Sequence, residues 1–297
     1  MVVLYTGCEQ QESPVSVDIT KRENVGYKKD PNTITYAYLP QYFHRVSFER
    51  HNPIVEHLRK ETGLSIRQVF PDSFDDLMKM VGQGKIDFFF SNPFVYAKLS
   101  ARFESQAFAR IIELDGNDGF RGQIISRADN KQLQTLEDCR GKRWIAVDPS
   151  SAGGYLFGLG LFWDHGIHKE DFAEVAFVTG PGGQQEKVVY AVLSRRYDFG
   201  SVREGTLQLV SDKIDLADIR IISHTSWYPG WLFAARKGLP PQTLAIIKDA
   251  LVKLDQSDPR YQPICQAAHF ERVIPAQDSD FDSTKSLISK VGLNLQE

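Results

Sequence analysis

The sequence predicts an α/β fold of two lobes, each a mostly parallel sheet flanked by helices, joined by two hinge crossings. Three observations predict it. Short apolar runs alternate with segments of helical period through both halves of the chain, the pattern of parallel strands linked by crossover helices. Two of those runs end in strand-to-helix turns rich in Ser, Asn, Pro and Gly, at Ser91-Asn92-Pro93 and from Asp148 to Gly154. Segments near 119–122 and 224–229, each holding glycine or proline, separate the two series, and crossings of this kind let lobes close on a ligand.

In chain order, residues 33–39 form a strand, followed by a polar-aromatic loop over 41–50. Asn52-Pro53 starts a helix with Ile54, Val55 and Leu58 on its apolar positions, and Gly63 ends it. Residues 65–70 alternate as a strand, 74–81 carry helical spacing, and 86–90 (IDFFF) read as a short buried strand. Ser91 or Asn92 then caps a helix that Pro93 opens and that runs to Ser100, with Tyr96 on an exposed end of its first turns. Residues 120–126 cross to a second series: strand 143–147, helix 153–165, strand 174–178, helix 184–193, strand 198–202, a helix from Thr206 and strand 219–223. From Trp231 no independent strand series follows, and helices near 241–254 and 283–291 return to complete the first unit. The expected partition is a leader over 1–30, a first lobe of 31–118 plus 226–297, and a second lobe of 119–225.

Composition narrows the function classes. With 297 residues, 42% hydrophobic and 25% charged, the chain is ordinary for a soluble globular protein. A formal net charge of −3 gives no electrostatic footprint for nucleic acid, and no apolar run can span a bilayer. Cys8, Cys139 and Cys265 are too scattered for a disulfide framework or a zinc site, so Cys139 and Cys265 read as small core residues. Leu4-Tyr5-Thr6-Gly7-Cys8 is similar to the end of a bacterial lipoprotein signal, with lipidation at Cys8 and a polar tether after it. Tyr5 stands where such signals carry leucine, and the basic start and most of the apolar core are missing.

The turn from Asp148 to Gly154 admits two readings. Its hydroxyls and bare amides, at the positive end of a helix dipole, suit an anion; alternatively, Ser150 or Ser151 simply caps its own helix. Catalytic signatures are missing: the sequence has no nucleophile elbow, Walker loop, HExxH or dinucleotide fingerprint. His165 and His168 are separated by a helix-ending Gly166, which disfavours a metal pair. Neither an enzyme, a metal nor a cofactor is expected.

The segments VDPSSAGGYLF, GQGKIDFFFSNPFVYAKL and Ala276 to Asp282 resemble the phosphonate-type solute-binding proteins of ABC transporters, from about Thr33 to the end. The same domain serves as the extracytoplasmic sensor of some histidine kinases. The resemblance implies a type II periplasmic binding fold and a small oxyanion held by the serine-rich turn and the tyrosine of the first-lobe helix. Carried over, those positions are Ser150, Ser151, Ala152, Gly153 and Tyr96, with Ser91 and Asn92 nearby. It also implies an aromatic at Tyr42, while Gln184, after the Thr179–Gly183 loop, is either a cleft residue or part of an ordinary connection. Family members that bind aminoalkyl phosphonates use acidic residues for the ammonium. Here the second-lobe strand ends in Arg203-Glu204 and the late segment reads SWYPGW, closer to the kinase-sensor branch. Arg203 either pairs with the anion or is bridged to Glu204 or Asp198. The expected function is a periplasmic or extracytoplasmic, secreted or lipid-tethered, monomeric protein capturing a phosphonate- or phosphate-like oxyanion for an ABC permease by lobe closure. The alternative is a sensory subunit presenting the anion to a membrane histidine kinase.

Overall fold

The computed structural model describes residues 33–180 and 184–296, without the side chain of Gln184. The strands are β1 (Ile34–Tyr38), β2 (Ile66–Val69), β3 (Phe88–Ser91), β4 (Gln106–Ile112), β5 (Gly119–Phe120), β6 (Gly122–Arg127), β7 (Arg143–Ala146), β8 (Glu174–Phe177), β9 (Phe199–Arg203), β10 (Ile219–His224), β11 (Tyr228–Pro229), β12 (Leu232–Ala235) and β13 (Arg272–Pro275). The helices are α1 (His44–Thr62), α2 (Phe74–Gly82), α3 (Pro93–Phe103), α4 (Phe157–Asp164), α5 (Gln184–Leu193), α6 (Thr206–Leu209), α7 (Pro241–Val252), α8 (Gln262–Ala268) and α9 (Asp282–Lys290). A π-helical turn, Ala152–Leu156, leads into α4.

Among the described residues the strands form a six-stranded sheet in the order β13-β4-β12-β3-β1-β2 and a five-stranded sheet in the order β10-β6-β9-β7-β8. Both are mixed rather than mostly parallel. In the first, β1 runs parallel to β2 and β3, but β12 inserts antiparallel between β3 and β4 and β13 pairs antiparallel with β4. In the second, β7 is parallel to β8 and β9, while β6 is antiparallel to β9 and β10. The two crossings lie side by side as a ribbon, with β5 antiparallel to β11. A Cβ on Gly119 would stand 2.3 Å from the Tyr228 carbonyl oxygen, so only glycine lets these strands approach this closely.

The apolar runs are strands because both faces are covered: Phe88, Phe89 and Phe90 are all buried. Asp87 anchors the start of β3, accepting from Thr35 N and Oγ1 at 2.8 and 2.9 Å and from Arg236 Nε at 2.9 Å. One core runs from the first sheet to the face of the second that carries Trp144 and Phe199, against which Phe162 of α4 packs. The opposite face of the second sheet has its own core beneath Val188, Val189 and Val192 of α5. The helix expected from Asn52 starts at His44, and Pro53 lies inside it. Buried Ser47, His51, Ile54, Val55 and Leu58 keep the three-and-four spacing through the proline, so packing outweighs one missing donor. No helix among the described residues is long and apolar enough to cross a membrane.

Candidate functional site

The turn after β7 is built by its own side chains. Asp148 Oδ1 accepts from Ser150 N at 2.7 Å, and Ser151, the N-cap, accepts from Gly154 N at 3.2 Å. That cap satisfies the third amide of the helix and leaves those of Ala152 and Gly153 without an intrahelical acceptor. From β9, Ser201 Oγ donates to Gly154 O at 2.6 Å and accepts from Trp144 Nε1 at 3.0 Å, locking turn to sheet. Burial pushes the Asp148 carboxyl up, opposed by the Ser150 amide and Lys98.

This turn meets the other strand-to-helix turn. Asn92 is the N-cap of α3, its Oδ1 accepting from Phe94 N and Val95 N at 2.8 and 2.9 Å, and its Nδ2 donates to Ser150 O at 3.3 Å. Lys98 Nζ donates to Ser150 Oγ at 3.2 Å. Ser91 is the last residue of β3 rather than a cap, and its Oγ donates to Asn92 O at 3.3 Å. Ser91, Asn92, Ser150 and Ser151 are all buried where the two sheets face each other. The N-cap and second turn of α3, through Asn92 and Lys98, thus contact the serine turn.

Tyr96 is not with them. Expected at an exposed helix end, it is 0% exposed within the first sheet's core. Its hydroxyl donates to Asp278 Oδ1 at 2.7 Å and accepts from Ala107 N at 3.1 Å, and its ring meets Phe281 edge-on. The helix is apolar on nearly every face, so one more turn carries the side chain into the core instead of the groove.

Arg203, at the end of β9, points across the boundary. Its Nη2 donates to Glu113 Oε1 at 2.5 Å, and the two side chains are only 15% and 16% exposed. The guanidinium lies 4.8 Å from the Phe120 ring centroid and 5.7 Å from that of Trp231, and Tyr42 lines the same cavity. The partners expected for Arg203 are engaged elsewhere: Glu204 takes Arg121 through two 2.8 Å bonds, and Asp198 takes Arg143 N at 2.8 Å. Gln185 Oε1 accepts from Arg203 N at 2.9 Å. A Cβ on Gly153 would be 3.0 Å from Phe120 and 3.3 Å from Arg203 Cα, so the serine turn abuts the arginine. Burial raises the Glu113 carboxyl, against the pull of Arg203 and Arg50.

A groove of about 310 Å³ opens over this pair, lined among others by Tyr42, Arg50, Glu113, Phe120, Arg203 and Trp227. Arg50 stacks 4.4 Å from the Tyr42 ring centroid, with no carboxylate within ion-pair distance among the described residues. The structure thus groups Ser150, Ser151, Ala152, Gly153, Ser91 and Asn92 at the serine turn and Tyr42 with Arg203 beside it. Gln184 opens α5, its side chain outside the described residues, as is Cys8. Glu113, Arg50, Phe120 and Trp231 were not singled out from the sequence. The alternation QAFARII over Gln106–Ile112 is the signal that would have placed Glu113 at a strand end.

The phosphonate-binding family, described as the periplasmic substrate-binding protein of phosphonate ABC transporters, matches residues 36–281. The phosphate-import protein PhnD of Mycolicibacterium smegmatis is 24% identical over 308 residues, covering 98% of this chain and 94% of that protein. The tetrathionate sensor histidine kinase TtrS of Salmonella typhimurium is 24% identical over 195 residues, 62% of this chain and 33% of that protein. The structure of PhnD1 from Prochlorococcus marinus in complex with methylphosphonate has a TM-score of 0.77 at 14% identity, covering 88% of this chain and 99% of that one. The last likeness shows a shared type II periplasmic binding fold. By the family match, which takes in both sheets and both strand-to-helix turns, the chain belongs to the periplasmic substrate-binding proteins of phosphonate-type ABC transporters.

Proposed function

We propose that the chain is an extracytoplasmic binding protein that captures a small phosphonate- or phosphate-like oxyanion between its two sheets and delivers it to an ABC permease. One observation carries the reading: the buried Ser150–Gly153 turn packs against the backbone of Arg203, whose side chain is only 15% exposed and lines the groove. Hydroxyls, free amides and an arginine fork are the donors a tetrahedral oxyanion needs. The β5–β11 ribbon supports motion of two lobes, 31–118 plus 226–297 against 119–225, with the ligand entering the opened form and closure bringing Asn92 and Tyr42 over it. A neutral hydrogen bond contributes about 0.5–1.5 kcal/mol and a charged one about 1.5–3, so several together reach micromolar affinity, roughly −8 kcal/mol. In this reading the protein acts as a monomer and Cys8 carries a lipid anchor.

The test is Ser150→Ala with Ser151→Ala. Oxyanion affinity by calorimetry should fall at least tenfold, about 1.4 kcal/mol, and an unchanged value removes the serine turn from the site. A thermal-shift panel of oxyanions finds the ligand, since 100 times the dissociation constant stabilises the fold by about 2.7 kcal/mol. The sensory role is favoured by the match to a sensor kinase and by the SWYPGW segment. A permease and ATPase encoded beside this chain, rather than a kinase and regulator, decides for transport.

A further inference from the structure

Beside Arg203 lies a buried donor without a partner among the described residues. Trp231 is 2% exposed and lines a small chamber of about 30 Å³, and its indole Nε1 hydrogen has no acceptor among the described residues. Buried donors are almost always paired, so an orphan on a cavity wall points to an acceptor that comes and goes. The indole cannot turn away easily, because Phe90 stacks on it at 5.2 Å between centroids. Arg50, Arg203 and Glu113 also line the chamber. Glu113 is the only carboxylate among the described lining residues, and it already occupies Arg203.

The chamber and the outer groove share Tyr42, Arg50, Glu113, Arg203 and His269 as walls, so Glu113 stands between them. As it stands the chamber has room for about one or two waters, too little for a tetrahedral oxyanion. Swinging the Glu113 side chain toward the groove frees its volume and the donors of Arg203 together.

We propose that this chamber seats the oxyanionic head group of the ligand, that Trp231 Nε1 and Arg203 donate to it, and that Glu113 is the internal carboxylate it displaces. The proposal rests on the oxyanion-capture reading and adds the residues that set its selectivity. The chamber contributes charge, from Arg203 and from Arg50. An incoming anion must outcompete a carboxylate already in place. Tetrahedral oxyanions carrying two charges therefore bind in preference to singly charged carboxylates.

The experiment uses inorganic phosphate, methylphosphonate and thiosulfate as probes, with calorimetry on the wild type and on Glu113→Gln. The variant keeps the shape and removes the competing charge, so at least one probe should bind about tenfold more tightly. Independently of any variant's folding, the Trp231 indole resonance of ¹⁵N-labelled wild-type protein should shift downfield when that probe is added. Trp231→Phe assigns the signal among the four tryptophans. Probes that bind the wild type without tightening in Glu113→Gln, and without moving that resonance, overturn the chamber and leave oxyanion capture standing. If no probe binds either protein, the oxyanion reading falls as well.

Discussion

Replacing Arg203 by methionine tests whether the cross-sheet pair is a structural element or an ornament of the groove. The arginine and Glu113 are 15% and 16% exposed, so the substitution strands a carboxylate that is mostly out of water. Stripping one partner from a buried pair costs about 3–5 kcal/mol. Here the groove admits some water to Glu113 and burial already raises its carboxyl, so a proton relieves part of the penalty. Two ring contacts of the guanidinium are lost as well, at Phe120 and Trp231. The net cost should be about 2–3 kcal/mol in urea unfolding at neutral pH with an unchanged m-value. Arg203→Met with Glu113→Leu should return to within about 1 kcal/mol of wild type, because no charge is left buried. In the single variant only Arg50 still opposes burial, and the folded-state pKa of Glu113 rises further above its unfolded value. Its stability therefore recovers as pH falls toward the ordinary carboxylate range. A cost below about 1 kcal/mol, or a double variant no better than the single, refutes the pair as a buried tie.

Three further outcomes concern other sites. Tyr96→Phe removes a bond to a carboxylate and should cost about 1.5–3 kcal/mol in thermal unfolding, while oxyanion affinity stays within about twofold; a large affinity loss would return Tyr96 to the groove. His51 is buried against Tyr36, with 2.7 Å between its Nδ1 and the Tyr36 hydroxyl, and its pKa is lowered to about 3 by burial first and by Arg50 second. It stays neutral when folded but is protonated when unfolded, so below about 6.5 it drains stability at up to about 1.4 kcal/mol per pH unit. His51→Gln should flatten that slope in acid titrations followed by circular dichroism, and an unchanged slope counts against it. Gly153→Ala puts a methyl 3.0 Å from Phe120, so it should cost about 1–2 kcal/mol and weaken oxyanion binding, and a neutral result by melting and calorimetry would mean the turn has slack.

Local pattern controls the part of the molecule that was legible in the sequence. The two strand-to-helix turns could be read because a cap, a proline and glycines act within a few residues, and Asn92 and Ser151 do cap their helices. The alternation of strands and helices through Phe199–Arg203 was equally local. The strands of the return segment were missed because Leu232–Ala235 and Arg272–Pro275 are only four residues long. Their identity comes from β4, which lies more than a hundred residues earlier in the chain and pairs with both. The same applies to Arg203, whose nearby carboxylates looked like its partners. Sheet packing brought Glu113 to it instead and sent Glu204 to Arg121. Proline misled in the other direction, since Pro53 signals a helix start but sits in the interior of α1.

The position of β12 has a consequence for the order in which this chain assembles. The five-stranded sheet has every one of its strands once residue 224 has been made, and no later residue adds to it. The six-stranded sheet, though its first strand is encoded earliest, lacks β12 until residue 235 and β13 until residue 275, and β12 belongs between β3 and β4 rather than at a rim. Until then both flanks of that slot present unpaired backbone, the surface on which strange chains catch. The later-encoded half can therefore mature first while the earlier half waits, and a truncation just short of Leu232 should yield a product that aggregates instead of folding.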